Sequence, residues 1–261
     1  MSGQSQELYF FKNQTLTPDS SRDAPFLTTI TYDQSTSASW LVNALVECTL
    51  LGTASSVHKE LKQPYQKKVV LVSFLHDEQF FIRNCRRNGV DLSRSQSFTF
   101  VDYFTDLFEK ITDATDPGQV GRLFDFNSVD LANSVVLIEA PEVLLYSTAI
   151  SSDELLFQLL KVNNRSPHMY LVCAKDSPQF VNYQVSDFLN PAYKITDFLT
   201  KLLFRSNMNV TLEPLATGRA NDITGSLTVA KGAIPYMGAA IYEREYVYKV
   251  TKELNVKVFY R

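Results

Sequence analysis

The chain has 261 residues, of which 45% are hydrophobic and 20% charged, with a formal net charge of −3 and an isoelectric point near 5.7. That length suits one large α/β domain better than two independent ones, and the acidic balance excludes a protein that coats nucleic acid through bulk charge, leaving only local basic loops for such contact. Cys48, Cys85 and Cys173 lie in apolar or helical contexts without a CxxC or Cys/His cluster. They are expected to be reduced, buried thiols of a cytosolic or nuclear protein; no apolar run reaches transmembrane length and no targeting segment is evident.

Residues 1–24 contain a possible strand, Leu8–Phe11, and a polar surface loop. Phe26–Thr31 reads as a short buried strand and Ser39–Cys48 as a helix with an apolar stripe, ended by Gly52. Thr53–Lys67 is a polar loop. Lys68–Leu75 is a Val-rich run suited to a strand covered on both faces, and a helix starts at His76-Asp77-Glu78 and stops at Asn88-Gly89. Ser97–Val101 predicts a strand, Tyr103–Ile111 an amphipathic helix, Asp113–Gly121 a turn-rich connection and Leu123–Leu131 a helix. Ser134–Glu139 and His168–Ala174 are further buried strands, with Asp153–Val162 a helix between them. A long loop, Lys175–Lys194, leads to a helix at Ile195–Arg205. Then the pattern changes: Asn209–Pro214, Gly225–Lys231, Glu245–Val250 and Lys257–Tyr260 predict an antiparallel meander.

The expected fold is therefore α/β. A mainly parallel central sheet is flanked by helices and extended by the C-terminal meander, all as a single domain over 1–261 with the β-rich part at 207–261. The strand–loop–helix at Phe26–Cys48 stands where a P-loop would grip phosphate. Laid over G-x-x-x-x-G-K-[ST], the first glycine is Tyr32, the second Ser37, the lysine Ala38 and the hydroxyl Ser39, so only the hydroxyl is present. Glu139 ends its strand where a Walker B acid would hold Mg²⁺. A strand-end acid beside a helix start is the plainer reading while the first loop lacks glycine and lysine. Asp77 and Glu78 are explained as helix N-terminal acids. His58, His76 and His168 show no ligand spacing, so no metal site is expected, and Ser147, Thr148, Ser151 and Ser152 show no nucleophile motif.

Two other strings stand out. Lys175–Lys194 mixes Phe180, Tyr183, Phe188 and Tyr193 with Lys175 and Lys194, and suits either stacking on single-stranded or splayed RNA or an inter-subunit contact. Thr217–Gly232 frames Arg219 and ends near Lys231; such a hairpin reads either as a basic element reaching a neighbouring subunit or as a solvated tip.

The strings SWLVNALVE at 39–47, VVLIEAPEVLL at 135–145, PLATGRANDITGSLTVAKGAIP at 214–235, EYVY at 245–248 and KVFYR at 257–261 resemble the sixth-subunit family of the Elongator complex, of the budding-yeast type. The second and third are the most specific, and the resemblance covers most of the chain. It implies a RecA-like fold without a Walker A motif, in a heterohexameric ring with the fourth and fifth subunits. That ring is an accessory to the catalytic Elongator subcomplex, which modifies wobble uridine 34 of tRNA. It implies a subunit that is not itself an enzyme and holds no cofactor of its own, with ATP at ring interfaces left open, in the cytoplasm and also the nucleus. Under it, Arg219 or Lys231 serves an inter-subunit seam, and Lys175, Tyr183 and Lys194 contact tRNA. Two alternatives compete: an NTPase with an atypical phosphate loop, and a pure scaffold whose neighbours make every RNA contact.

Overall fold

The computed structural model describes residues 6–18, 24–64, 66–175, 190–215, 222–251 and 256–260. The described strands are β1 (Phe26–Tyr32), β2 (Lys68–Ser73), β3 (Phe98–Asp102), β4 (Ser134–Glu139), β5 (His168–Ala174), β6 (Met208–Glu213), β7 (Gly225–Lys231), β8 (Arg244–Val250) and β9 (Val256–Tyr260). They form one nine-stranded sheet in the order β3-β2-β4-β5-β1-β6-β7-β8-β9. From β3 to β6 every pairing is parallel; β6 to β9 is antiparallel. The α/β reading with a terminal meander therefore holds.

The sheet is covered on both faces, which is why β2, β4 and β5 read as continuous apolar runs rather than alternating ones. One face packs on helices α1 (Ser39–Leu51) and α2 (Glu78–Arg87), through Val69, Leu71, Val135, Leu137, Tyr170 and Val172. The intervening side chains, Val70, Val72, Val136, Ile138, Met169 and Leu171, meet α5 (Val143–Ser147), α6 (Ser152–Asn163) and α7 (Pro191–Leu203) on the other face.

Helix α1 is more enclosed than an apolar stripe predicts: every residue from Trp40 to Leu50 is buried. The N-terminal segment supplies the outer cover. Leu8–Phe11 is not a strand; isolated bridges join Gln6, just before it, to Val258 and Phe11 to Ile241, while Leu8, Phe10 and Phe11 join the α1 core. Each large apolar side chain buried this way contributes about 1.5–3 kcal/mol. The helix ends at Gly52, whose φ of 75° is left-handed and whose N–H donates to the Cys48 carbonyl at 2.9 Å. A Cβ at Gly52 would lie 2.3 Å from the Gln63 carbonyl oxygen, so both the torsion and the space require glycine.

Three further expected elements are corrected. Tyr103–Ile111 is not one amphipathic helix: Asp102 accepts from the Thr105 N–H at 2.8 Å and forms a local turn that competes with helix, leaving only α3 (Leu107–Lys110). The helix expected at Leu123–Leu131 lies upstream as α4 (Pro117–Arg122), because Asp116 caps Gly118 N–H and Pro117 occupies the first turn. Helix α7 begins at Pro191, with Asn190 as its cap, so the last residues of the expected long loop, Lys194 included, are helical.

Candidate functional site at the ends of the parallel strands

The carboxyl ends of β1, β2, β4 and β5 lie side by side, because Tyr32 pairs with Ala174, Glu139 with Val172 and Ser73 with Glu139. A cleft of about 370 Å³ opens there, lined by Tyr32, Gln34, Ser37, Ala38, Ser39, Leu75, His76, Glu139, Ala140, Glu142, Val143, Tyr146 and Ala174. Open α/β sheets bind ligands at this end. The structure thus brings Tyr32, Ser37, Ala38 and Ser39 to one cleft with Glu139, which lies 100 or more positions further along the sequence.

The β1–α1 loop does not form a phosphate cradle. Such a cradle needs left-handed residues that turn successive N–H groups inward. None of residues 33–38 has a positive φ. Three amides of the loop and the helix start are engaged internally: the Ser35 N–H donates to Asp33 Oδ1 at 3.0 Å, the Thr36 N–H to the Asp33 carbonyl at 2.7 Å and the Ser39 N–H to Ser37 Oγ at 3.2 Å. Ala38 carries no cation. It is buried at the start of α1, where its carbonyl accepts from Leu41 and Val42. The loop thus lacks both the cation and the left-handed turn with which a P-loop holds the phosphates of a nucleoside triphosphate.

The opposite wall is acidic. Ser73 Oγ donates to Glu139 Oε2 at 2.6 Å, and His76 Nδ1 lies 3.0 Å from the same oxygen. The Ser73 hydroxyl in turn accepts from the Leu75 and His76 N–H groups, which fixes the β2–α2 turn. The His76 ring stacks on Phe80 at 3.8 Å between centroids, with the planes 8° apart. Next to Glu139, Ala140 adopts a left-handed φ of 56° although it is not glycine. Such a torsion costs roughly 1–2 kcal/mol and tends to occur where function constrains the chain. The turn sets Glu142 at the head of α5, where Oε1 accepts from the Ala174 N–H at 2.8 Å. Oε2 is buried without a hydrogen-bond partner of ordinary geometry among the described residues, and the Cys173 thiol is the weak donor beside the carboxyl. Burial, with a smaller contribution from the charge of Glu139, raises the Glu142 carboxyl to about 7. His76 and Glu142 were not singled out from the sequence. His76 lies 63 positions from Glu139 with no ligand-like spacing, and Glu142 is one unremarkable acid after a proline.

The remaining candidate residues are dispersed. Lys175 follows Ala174 and pairs with Glu213. Lys194 sits in the first turn of α7, where its Nζ donates to the Ile150 carbonyl at 3.3 Å. Lys231 pairs with Glu243 at 2.9 Å. It also stands opposite Met208, at the end of the sheet away from the cleft. Arg219 and Tyr183 lie outside the described residues.

No protein-family model matches the chain. A sequence comparison finds Elongator complex protein 6 of Saccharomyces cerevisiae, 26% identical over 277 aligned positions that span 99% of this chain and 98% of that protein. The chain is Elongator protein 6-like from end to end. Among solved structures, the flagellar accessory protein FlaH of Methanocaldococcus jannaschii superposes with a TM-score of 0.58 over 93% of each chain at 15% identity. That likeness concerns the fold, which is RecA-like. The cleft lies at the carboxyl ends of the parallel strands, beside a β1–α1 loop that has neither the glycines nor the lysine of a P-loop.

Proposed function

We propose that this chain is a non-catalytic, RecA-like subunit of an Elongator-type complex. It assembles with fourth- and fifth-subunit homologues into an accessory ring that supports tRNA binding and wobble-uridine modification in the cytoplasm and nucleus. The observation that carries this reading is the match to Elongator complex protein 6 along nearly the whole of both chains. The cleft is consistent with it. A chain that hydrolysed nucleotide itself would need a cation and inward-facing amides in the β1–α1 loop, and that loop has Ala38 and internally bonded N–H groups. Any ATP chemistry of the ring is assigned to its other chains.

RNA contact is proposed for the segment between Lys175 and Lys194. With a net charge of −3, the chain alone binds tRNA weakly and with strong salt dependence. The assembly is tested by native mass measurement after mixing with the fourth- and fifth-subunit homologues. A mixed ring is the expected product, and persistence of separate chains at micromolar concentration refutes the assignment. Equal tRNA affinity of that ring after replacing Lys175, Tyr183 and Lys194 by alanine refutes the RNA contact.

A further inference from the structure

We propose that the surface of Lys59, Lys62 and Lys67, with the narrow cleft beside Lys67, binds the phosphate backbone of RNA. The inference rests on the RNA-binding reading above and gives it a second contact, at the end of the sheet opposite the acidic cleft.

The segment 53–67 folds back on the end of α1. The Gln63 N–H donates to the Gly52 carbonyl at 2.8 Å and the Lys67 N–H to the Thr49 carbonyl at 2.9 Å. The Gln66 side-chain amide donates to the Leu51 carbonyl at 3.3 Å. A turn closed by the Leu61 N–H on the His58 carbonyl, at 3.3 Å, carries Lys59 and Lys62. The three lysines therefore sit on a pinned stretch of chain, with Lys59 and Lys62 exposed and Lys67 half-buried. Among the described residues none of the three is in an ion pair. The acids that meet the segment are engaged otherwise: Glu7 by His58, Asp130 by Lys68, and Glu47 by Thr53 and Ser55. Residues 58–68 hold four lysines and one glutamate, a formal charge of +3, so the rest of the chain carries −6. Like charges gathered on an otherwise acidic molecule repel one another until an anion offsets them.

Beside Lys67 lies a cleft of about 190 Å³, lined also by Asn13, Thr15, Gln63, Val135 and His168. The last two belong to the first turns of β4 and β5, so the cleft opens at the amino ends of those strands. Asn13 accepts from Thr15 through Oδ1, which leaves its amide nitrogen to donate. Ammonium and amide donors of this kind hold the phosphate oxygens of a nucleic acid. A docked protein would need apolar anchors at the centre of the contact. Of the exposed large apolar side chains, only Leu51 belongs to the end of α1 on which the segment folds. Lys175 follows the far end of β5, roughly 20 Å away at ~3.3 Å per strand residue, so the two RNA contacts can be altered separately.

The test titrates fluorescently labelled tRNA with the full chain, alone at about 50 mM salt and also mixed with the fourth- and fifth-subunit homologues. The variant is Lys59→Gln/Lys62→Gln/Lys67→Gln. A control of equal charge loss, Arg83→Gln/Arg94→Gln/Lys257→Gln, removes three exposed cations elsewhere. Thermal unfolding first establishes that both variants are folded. The lysine variant is expected to bind at least tenfold more weakly. Its slope of log affinity against log salt should be smaller by about 2, at ~0.7 per lost phosphate contact, for tRNAs of unrelated sequence. The control should change by less than about threefold. Equal losses in the two variants overturn the site, since bulk charge then accounts for the binding. An unchanged lysine variant also overturns it, and leaves the contact between Lys175 and Lys194 standing. If the wild type binds no tRNA in either form, the RNA reading and the site fall together. Poly-L-glutamate bound as tightly as tRNA, and lost in the same variant, assigns the surface to acidic protein segments and overturns the RNA assignment.

Discussion

His168 opens β5 with its ring enclosed between Phe26 and Tyr170, only 2% exposed, and its Nε2 lies 3.0 Å from Thr28 Oγ1. Desolvation pushes its pKa from the ordinary 6.5 down to about 3. Because the folded value is depressed, the native state keeps the ring neutral while the unfolded chain takes up a proton. The stability is fully present above 6.5 and is lost as pH falls toward 3. The difference, 6.5 − 3, is about 3.5 pH units, and at ~1.4 kcal/mol per unit it amounts to roughly 5 kcal/mol across the whole window. By pH 4 about half to two-thirds of it, roughly 3 kcal/mol, is already lost. His168→Gln removes the titration. Urea unfolding followed through the single tryptophan, buried Trp40, gives the stability of both proteins between pH 7 and pH 4. The variant is expected to lose stability at pH 7, through poorer packing against Phe26 and Tyr170, and to recover about 3 kcal/mol relative to the wild type by pH 4. Parallel pH profiles, with a gap that changes by less than about 1 kcal/mol, refute the reasoning, since every other carboxylate and histidine is common to both proteins.

Glu142 works in the opposite sense. Its carboxyl is raised from 4.5 to about 7, so the folded state prefers the protonated form, and stability declines as pH rises from 4.5 through 7. The Glu142→Gln variant should gain on the wild type by up to roughly 3 kcal/mol between pH 5 and pH 8 in urea unfolding, and a constant gap contradicts the assignment. Gly52→Ala places a methyl group 2.3 Å from the Gln63 carbonyl oxygen at a left-handed position, and should destabilise the chain by about 2 kcal/mol or more in the same assay. Ala38→Lys restores the cation of a phosphate loop but not its backbone. Calorimetry of the folded variant should detect no MgATP binding, and a micromolar affinity would show that the side chain alone had been missing.

What the sequence by itself determined is the alternation of elements. The runs Ser134–Glu139, His168–Ala174 and Gly225–Lys231 form strands with the expected bounds, because β-branched and apolar residues between turn formers have few other options at that length. The degenerate loop at Tyr32–Ser39 was legible for a similar reason, since glycine and lysine at fixed offsets are either present or absent. Where local signals competed the sequence misled, as at Asp102, whose turn with Thr105 truncates the Tyr103–Ile111 helix. Leu8–Phe11 has strand composition but is used as a lid on α1. The chemistry of the cleft belongs to tertiary structure alone. Parallel pairing of β2, β4 and β5 sets Ser73, His76, Glu139 and Glu142 at one end of the sheet. Burial there decides which carboxylate oxygen is hydrogen-bonded among the described residues. Proximity of residues far apart in sequence, and the loss of water around them, are properties of packing that no spacing of residues along the chain encodes.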